Sequence, residues 1–259
     1  MNKKRTALIT GSTSGIGLAI AKLYAAKGYN LIFNGLEPNG AEIAQAVADE
    51  HKIDHLFFPA NLIDPVQIKD MASKSLERFG VVDIVVNNAG IQFVTPMVDF
   101  PDEKWDAIID INLNAAFHLC KALWPKMEEQ KYGRIVNMSS AHGLIASPFK
   151  SAYISSKFGI VGFTKALAME GGEHGITANA VCPGYVFTPI VGHQIPDQMK
   201  VHDMTRDEVI EKVFLKEHVV KEFITVEAIA EAVLFLTDSP ASSVITGIAL
   251  PVDAGWTAH

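Results

Sequence analysis

Tyr153 and Lys157 lie four residues apart in the sequence, a spacing that brings two side chains to one face of a helix. A phenol with a pKa of about 10 is a poor base at neutral pH. A nearby ammonium group stabilises the phenolate and lowers that pKa. Ser140, a little earlier in the chain, can hydrogen-bond to the same reacting oxygen. These residue types therefore suggest acid–base chemistry on an alcohol, although Tyr and Lys at this spacing also occur on ordinary helix faces.

Two more polar residues, His142 and Lys150, fall between Ser140 and Tyr153. A small carboxylate would suit them, because it accepts a charged hydrogen bond from an ammonium and neutral bonds from imidazole and amide groups. Gln92 and Gln194 are the candidate amide donors. Taken alone, each of these residues could equally be a solvated or packed loop residue, so the substrate prediction depends on their occurring together.

A glycine-rich segment, T-G-S-T-S-G-I-G, occupies residues 10–17 between the first predicted strand and the first predicted helix. Gly11, Gly15 and Gly17 allow a tight turn and let a diphosphate approach the helix N-terminus, where free N–H groups and the helix dipole attract negative charge. No Lys-Ser/Thr pair follows the glycines, which argues against the phosphate loop of a nucleoside triphosphatase. The position of the segment favours a dinucleotide site.

The elements that must position these residues alternate along the chain between short apolar runs and helical patterns. The predicted strands are Thr6–Thr10, Leu31–Asn34, His55–Pro59, Ile84–Asn87, Arg134–Met138, Thr177–Val181 and Ile248–Val252. The predicted helices are Ile16–Lys27, Ala41–His51, Pro65–Phe79, Lys104–Gln130, Ala152–Glu170 and Val226–Thr237. This alternation predicts an α/β fold with a parallel sheet covered by helices on both faces. Ligands should then bind beyond the carboxyl ends of the strands.

Residues 188–223 break the alternation, because they contain no strand pattern. A long insertion after a strand is either a lid over the ligand site or a partly ordered loop. We predict a helical substrate lid, since the segment begins at the edge where ligands should bind and includes an amphipathic helical pattern. Gln194 would lie in this lid.

The composition predicts one domain over residues 1–259, because 49% of the 259 residues are hydrophobic and no linker or repeat interrupts the chain. A net charge of −7 argues against a general nucleic-acid binder. Cys120 and Cys182 lie in apolar runs without metal-ligand spacing, so we predict two reduced, buried thiols rather than a disulfide or a metal site. No apolar run approaches the roughly 18 residues of a membrane span, and we expect a soluble cytoplasmic protein.

Considered together, the motifs resemble the short-chain dehydrogenase/reductase family over nearly the whole chain. The matching residues are the glycine segment at 10–17, N-N-A-G at 87–90, Asn112, Ser140, Y-x-x-x-K at 153–157, P-G at 183–184, and Thr188. The resemblance implies a Rossmann-like, doubly wound sheet of seven parallel strands in the order 3-2-1-4-5-6-7. It also implies an oxidoreductase that uses Tyr153 as general acid/base. In that family pattern Lys157 assists Tyr153 and binds the nicotinamide ribose, Ser140 holds the substrate oxygen, and Asn112 supports a water in the proton relay.

The resemblance further implies a nicotinamide cofactor. The cofactor-binding residues that it implies are Gly11, Thr13, Ser14, Gly15, Ile16, Gly17, Asn34, Leu36, Asn61, Leu62, Asn88, Ala89, Gly90, Tyr153, Lys157, Pro183, Gly184, Val186 and Thr188. At the end of the second strand the sequence reads F-N-G-L, so the acid that usually binds the ribose 2′-OH is missing. No Arg or Lys is present there either, and a 2′-phosphate would remain unpaired. We therefore predict NAD as the cofactor.

The substrate residues resemble one branch of this family, the bacterial D-3-hydroxybutyrate dehydrogenases. Gln92, His142, Lys150 and Gln194 match its substrate pattern, as does the ending D-A-G-W-T-A-H. The resemblance implies that Trp256 comes from a neighbouring subunit. Tyr185 also belongs to the predicted substrate site, at a position where that branch commonly carries Trp.

The predicted activity is the reversible NAD-dependent oxidation of D-3-hydroxybutyrate to acetoacetate. The resemblance implies a homotetramer, with contacts through the helices at residues 104–130 and 152–170. Three alternatives remain open on sequence grounds: a 3-oxoacyl carrier-protein reductase, a dehydrogenase of another small hydroxy acid, and a nucleotide-binding regulator without catalysis. The predicted site contains no metal.

Overall fold

A computed structural model describes residues 4–188, 195–196, 199–200 and 203–258 of the chain. Its strands are β1 (Thr6–Ile9), β2 (Asn30–Asn34), β3 (His55–Phe58), β4 (Ile84–Asn87), β5 (Gly133–Met138), β6 (Ile176–Pro183) and β7 (Ala249–Val252). They form one parallel sheet in the order β3-β2-β1-β4-β5-β6-β7. The predicted fold class and strand order are confirmed.

The helices cover both faces of this sheet. They are α1 (Gly15–Ala26), α2 (Gly40–His51), α3 (Pro65–Phe79), α4 (Asp102–Ile109), α5 (Ala115–Glu129), α6 (Ser151–Gly171), α7 (Arg206–Val209) and α8 (Val226–Asp238). Helices α1, α2 and α8 contribute to one hydrophobic core, and α3, α5 and α6 contribute to the core on the opposite face.

Strand β1 illustrates why the central strands are apolar throughout. Ala7 and Ile9 belong to one core, whereas Leu8 between them belongs to the other. Successive side chains of a strand point to opposite faces, so a strand that is covered on both sides has no position for a solvated residue. The continuous apolar runs of the sequence thus follow from burial of both faces.

Local sequence determines several helix ends. The Asp64 carboxylate accepts a hydrogen bond from Val66 N at 2.8 Å, and Pro65 occupies the first turn of α3. Thr225 Oγ1 accepts from Ala228 N at 3.1 Å and caps α8. Gly28 and Gly80, which follow α1 and α3, have φ angles of 83° and 79°, a region that glycine adopts without steric cost.

The single helix predicted over Lys104–Gln130 is wrong in one respect. The chain forms α4, then a π-helical turn at Asp110–Asn114, then α5. Within the widened turn, the Asn112 side chain bonds to the backbone of Ile91, accepting from its N–H at 2.9 Å and donating to its C=O at 3.0 Å. Such turns insert one residue into a helix and are frequent at functional sites.

The described parts of residues 188–223 include α7 and a π-helical turn at Ile210–Phe214. Buried Val209, Phe214 and Leu215 form a small separate core with Ile195. That this segment acts as a lid remains a prediction. None of the helices in the described ranges combines the length and the apolar character needed to cross a membrane.

Candidate active site

Two adjoining cavities open beyond the carboxyl ends of the strands, where ligands were predicted to bind. The tyrosine cavity, of about 700 Å³, contains Tyr153 in its wall. The loop cavity, of about 640 Å³, is bounded by the glycine segment between β1 and α1. Both cavities are lined by the same five residues where they meet: Ile16, Asn88, Gly90, Ile91 and Thr188.

The predicted catalytic residues Ser140, Tyr153 and Lys157 line the tyrosine cavity together. Ser140 follows β5, whereas Tyr153 and Lys157 lie on α6. Ser140 and Tyr153 are hydrogen-bonded through their side chains. Lys157 Nζ donates to Met138 O at 2.8 Å and lies 5.5 Å from the centroid of the Tyr153 ring. Strand β5 and helix α6 therefore hold all three side chains at one wall.

Burial changes the pKa values of this group. It lowers the pKa of the Lys157 ammonium from 10.5 to about 8. It also raises the pKa of the Tyr153 phenol, an effect that the hydrogen bond with Ser140 opposes. The predicted lowering of the Tyr153 pKa by Lys157 is thus wrong for the protein alone. Desolvation penalises the phenolate, and the Lys157 ammonium is hydrogen-bonded to Met138 O instead.

Asn112 is buried behind the cavity wall and is not among the residues that line either cavity. Besides its two bonds to the Ile91 backbone, its amide donates to Ser156 Oγ at 3.0 Å. Ser156 Oγ in turn donates to Tyr153 O at 2.7 Å. Asn112 therefore ties α6 to the loop that carries Gln92, and its support of a water in the proton relay stays a prediction.

Among the predicted substrate residues, Gln92, His142 and Lys150 line the same tyrosine cavity. The His142 Nε2 atom shares a 2.8 Å hydrogen bond with Ser147 Oγ. Burial, with a smaller contribution from the Lys150 charge, lowers the pKa of His142 to about 4, so its imidazole is neutral near pH 7. Burial also lowers the pKa of Lys150. Gln194 lies outside the described residues.

An aromatic wall closes one side of the tyrosine cavity. Tyr185 and Trp256 stack with ring centroids 5.2 Å apart and an interplanar angle of 9°. Trp256 also meets His142 edge to face at 5.2 Å, and Phe214 packs edge-on against Tyr185 at 5.7 Å. Such pairs favour these geometries because of the ring quadrupole.

The expectation that a neighbouring subunit supplies Trp256 is corrected, since Trp256 of the same chain forms this wall. After β7 the chain turns back on its own subunit, with positive φ at Ala254 (54°) and Gly255 (82°). The buried Asp253 carboxylate holds the turn by accepting from Gly255 N at 3.0 Å and from Thr257 N at 2.9 Å.

Glycines shape the part of the loop cavity next to the N-terminus of α1. Gly11 has a φ of 60°, and a Cβ atom at Gly17 would lie 2.1 Å from Gly11 O. The cradle at the α1 N-terminus therefore exists only with glycine there. The predicted cofactor residues that line this cavity are Gly11, Ser14, Gly15, Ile16, Gly17, Asn34, Leu36, Asn61, Leu62, Asn88, Ala89, Gly90 and Thr188. Those that line the tyrosine cavity include Tyr153, Lys157, Pro183, Gly184 and Val186.

Two predicted cofactor residues serve the architecture of the loop. Thr13 is buried, lines neither cavity, and donates its hydroxyl hydrogen to Glu37. The Asn34 amide donates to Phe58 O at 3.1 Å and to Ala60 O at 3.0 Å, while its oxygen accepts from Gly11 N at 3.3 Å. Asn34 therefore joins the second and third strands to the glycine segment.

Glu37 lines the loop cavity and was missed in the sequence. Its carboxylate accepts from Thr13 Oγ1 and, at 3.0 Å, from Ser14 Oγ. The hydrogen bond from Thr13 is the main cause of its lowered pKa. In the sequence, Glu37 directly follows the F-N-G-L segment, which ends at Leu36. An acid this close to the end of the second strand was the signal that could have identified it. Among the described residues that line this cavity, none is Arg or Lys.

Comparison with known proteins agrees with this geometry. The sequence pattern of the family described as short chain dehydrogenase matches residues 5–199. The D-beta-hydroxybutyrate dehydrogenase of Rhizobium meliloti (strain 1021) is 48% identical over 257 residues, which cover 98% of this chain and 99% of the relative. The enzyme with the same name from Cupriavidus necator is 42% identical over 255 residues, 98% of each chain. A 3-oxoacyl-[acyl-carrier-protein] reductase of Staphylococcus aureus (strain Mu50 / ATCC 700699) is 34% identical over 209 residues, 80% of this chain and 84% of the relative.

The chain belongs to the short-chain dehydrogenase family. It is an oxidoreductase that acts on CH–OH groups, and membership implies a nicotinamide cofactor. The glycine cradle, the α1 N-terminus and the Glu37 carboxylate fit the diphosphate and a ribose of such a cofactor.

Proposed function

We propose that this chain catalyses the reversible NAD-dependent oxidation of D-3-hydroxybutyrate to acetoacetate. The observation that carries the proposal is the presence of Lys150, neutral His142 and Gln92 in the same cavity as Ser140 and Tyr153. A hydroxy acid needs both an acid–base group and a carboxylate anchor, and this cavity supplies both. The D-enantiomer is proposed from the names of the two hydroxybutyrate relatives.

Lys150 is the proposed anchor of the substrate carboxylate. It is half-buried and its pKa is lowered by desolvation, so a bound carboxylate would restore part of the stabilisation that water gives an exposed ammonium. A charge-assisted hydrogen bond is shorter and stronger than a neutral one, especially in a shielded cavity. The other lysine in the cavity wall, Lys157, is hydrogen-bonded to Met138 O.

In the proposed reaction Ser140 donates a hydrogen bond to the substrate oxygen, and Tyr153 removes its proton as the alcohol is oxidised. A bound nicotinamide would supply the hydride acceptor for the substrate carbon that carries this oxygen. In the reverse direction Tyr153 returns the proton to the carbonyl oxygen. The raised pKa of Tyr153 keeps the phenol protonated at neutral pH, which favours its acid role.

Glu37 supports NAD over NADP as the cofactor. Its carboxylate lies among the loop-cavity residues, where it can accept hydrogen bonds from ribose hydroxyls. A 2′-phosphate would meet the Glu37 charge without a compensating cation among the described lining residues, and like charges at short range repel.

Residues 188–223 would complete the site as a lid that brings Gln194 to the substrate carboxylate. Lid closure excludes water and strengthens the attraction between Lys150 and the acid. A single domain over residues 1–259 and a homotetrameric assembly are part of this proposal.

A substrate panel tests the proposal. NADH or NADPH absorbance would be followed with both enantiomers of 3-hydroxybutyrate, longer hydroxy acids and a 3-oxoacyl thioester. We expect turnover of the D-enantiomer with NAD. Lys150→Met should raise its KM about tenfold or more, whereas Lys69→Met, which changes an exposed lysine on α3, should not. Preference for the thioester with NADPH would instead favour a 3-oxoacyl carrier-protein reductase.

A further inference from the structure

His218 lies in the segment that connects α7 and α8 along the chain. It is almost completely buried, with 1% of its surface exposed, and it lines neither cavity. Both ring nitrogens bond to the backbone. Nε2 accepts from Tyr185 N at 3.1 Å, and Nδ1 donates to Glu222 O at 3.0 Å. Because a backbone N–H only donates and a backbone C=O only accepts, these partners assign a neutral imidazole with its proton on Nδ1.

The His218 ring packs directly behind the aromatic wall. Its centroid lies 6.0 Å from the Tyr185 ring and 5.8 Å from the Trp256 ring. The space around it is tight, since a Cβ atom at Gly184 would lie 2.9 Å from His218 Nε2 and 3.0 Å from Asp253 Cα. His218 thus contacts the segment after β6 and approaches the segment after β7 in the same place.

The next two residues attach the same segment to the chain's C-terminal turn. Val219 N and Val220 N both donate to Ala254 O, at 2.9 and 3.0 Å. A Cβ atom at Gly255 would lie 2.9 Å from Val219 Cβ, so the two backbones are closely packed. The segment at 218–220 therefore joins the loop that carries Tyr185 to the turn that carries Trp256.

We propose that His218 is a positioning residue that fixes the stacked Tyr185–Trp256 wall and thereby sets the affinity for the small hydroxy acid. This inference rests on the proposed function. Without an acceptor at His218 Nε2, the partly buried Tyr185 N–H would lose its hydrogen-bond partner, and the backbone at Tyr185 would shift to find another one. A displaced Tyr185 would loosen Trp256 and its edge contact with His142.

The predicted catalytic residues are held by elements that His218 does not contact in the described part of the chain. Ser140, Tyr153 and Lys157 are held by β5 and α6, and none of them bonds to His218 among the described contacts. The loop cavity does not include Tyr185 or Trp256. Pro183, Gly184, Val186 and Thr188 of the predicted cofactor site lie in the same segment as Tyr185, whereas the other predicted cofactor residues lie in segments that His218 does not touch within the described ranges. A change at His218 should therefore weaken binding of the hydroxy acid more than binding of NAD.

Three variants separate the bonds that His218 makes. In His218→Gln the side-chain oxygen can reach the Nε2 position and accept from Tyr185 N. In His218→Asn the amide can donate to Glu222 O from the Nδ1 position but is too short to accept from Tyr185 N. His218→Phe keeps a ring and removes both bonds. His174→Asn is the matched control, since His174 is partly exposed and its side chain is paired with Glu128 at 3.1 Å, before β6.

Steady-state kinetics with NAD and D-3-hydroxybutyrate test the inference. We expect His218→Asn and His218→Phe to raise the KM of the acid about tenfold, with the KM of NAD changed by no more than about twofold. In His218→Gln the KM of the acid should stay within about threefold of that of the original protein. If His218→Phe does not fold, the comparison of His218→Asn with His218→Gln still tests the positioning role. An Asn variant with unchanged KM for the acid, or an equal rise in both KM values, would overturn the positioning role. Absence of turnover in the unchanged protein would overturn the proposed function itself.

Discussion

The Glu37 carboxylate accepts a hydrogen bond from Ser14 Oγ at 3.0 Å, which fixes an acid from the loop after β2 beside the glycine segment before α1. Thr13 Oγ1 donates to the same carboxylate, and this bond is the main cause of the lowered Glu37 pKa. The acid is therefore ionised at neutral pH and held in the wall of the loop cavity. The negative charge at this position would repel a 2′-phosphate, which is the basis of the proposed preference for NAD.

Glu37→Gln should reduce the preference for NAD. The amide keeps the size of the side chain but removes the charge that repels a 2′-phosphate, so the ratio of kcat/KM for NAD to that for NADP should fall about tenfold. Kinetics with both cofactors measure this ratio. Glu42→Gln, an exposed position on α2, is the control and should leave it unchanged. An unaltered ratio in Glu37→Gln would exclude Glu37 as the discriminating group.

Tyr153→Phe should abolish turnover while cofactor binding survives. The substitution removes the hydroxyl that bonds to Ser140 and leaves the ring in place, so the loss should match that of a general acid–base group, roughly 10²–10⁴-fold. NADH fluorescence titration should give a Kd within about twofold of the original value. Near-normal turnover in this variant would reject the assignment of Tyr153.

The direction of the Tyr153 pKa shift predicts opposite pH dependences for the two reaction directions. Burial raises this pKa, so the phenol stays protonated at neutral pH and only a small fraction is phenolate. Alcohol oxidation needs the base form and should accelerate as pH rises above neutral, whereas carbonyl reduction needs the acid form and should be favoured at neutral pH. Profiles of kcat/KM in both directions test this. Oxidation that is fastest below pH 7 would contradict it.

Sequence reasoning succeeded where local chemistry or family pattern determines the structure. Residues such as Asp64 and Gly80 act within one turn of their own position, so their caps could be read directly. The sheet order came from the family resemblance. The π-helical turn at Asn112 could not be predicted, because one inserted residue barely changes a helical hydrophobic pattern, and the turn is bonded to the distant Ile91.

The remaining differences also depend on distant contacts. Whether Trp256 shapes its own cavity or that of a neighbour depends on the fold of the turn at Asp253, which no motif describes. The pKa of Tyr153 depends on burial and on the direction in which Lys157 points, and the i, i+4 spacing specifies neither. His218 has no motif at all, because its partners are backbone groups, one at Glu222 in its own segment and one at the distant Tyr185.

Lys157, a predicted catalytic residue, should oppose folding. Its pKa is lowered from 10.5 to about 8 by burial, so the folded state holds the proton less tightly than the unfolded state does. The destabilisation is therefore fully present below pH 8 and fades as pH rises toward 10.5. Its size is at most about 3 kcal/mol, and the hydrogen bond to Met138 O offsets part of it.

Lys157→Met removes the charge and keeps a side chain of similar length. The variant should gain stability relative to the original protein, and this gain in the free energy of unfolding should be about 2 kcal/mol larger at pH 7 than at pH 10. Turnover should be lost. Urea unfolding at both pH values measures the difference. Lys69→Met, at an exposed position, should show no such pH dependence. If the effect of Lys157→Met were the same at pH 7 and pH 10, the pKa of Lys157 would not be lowered in the folded protein.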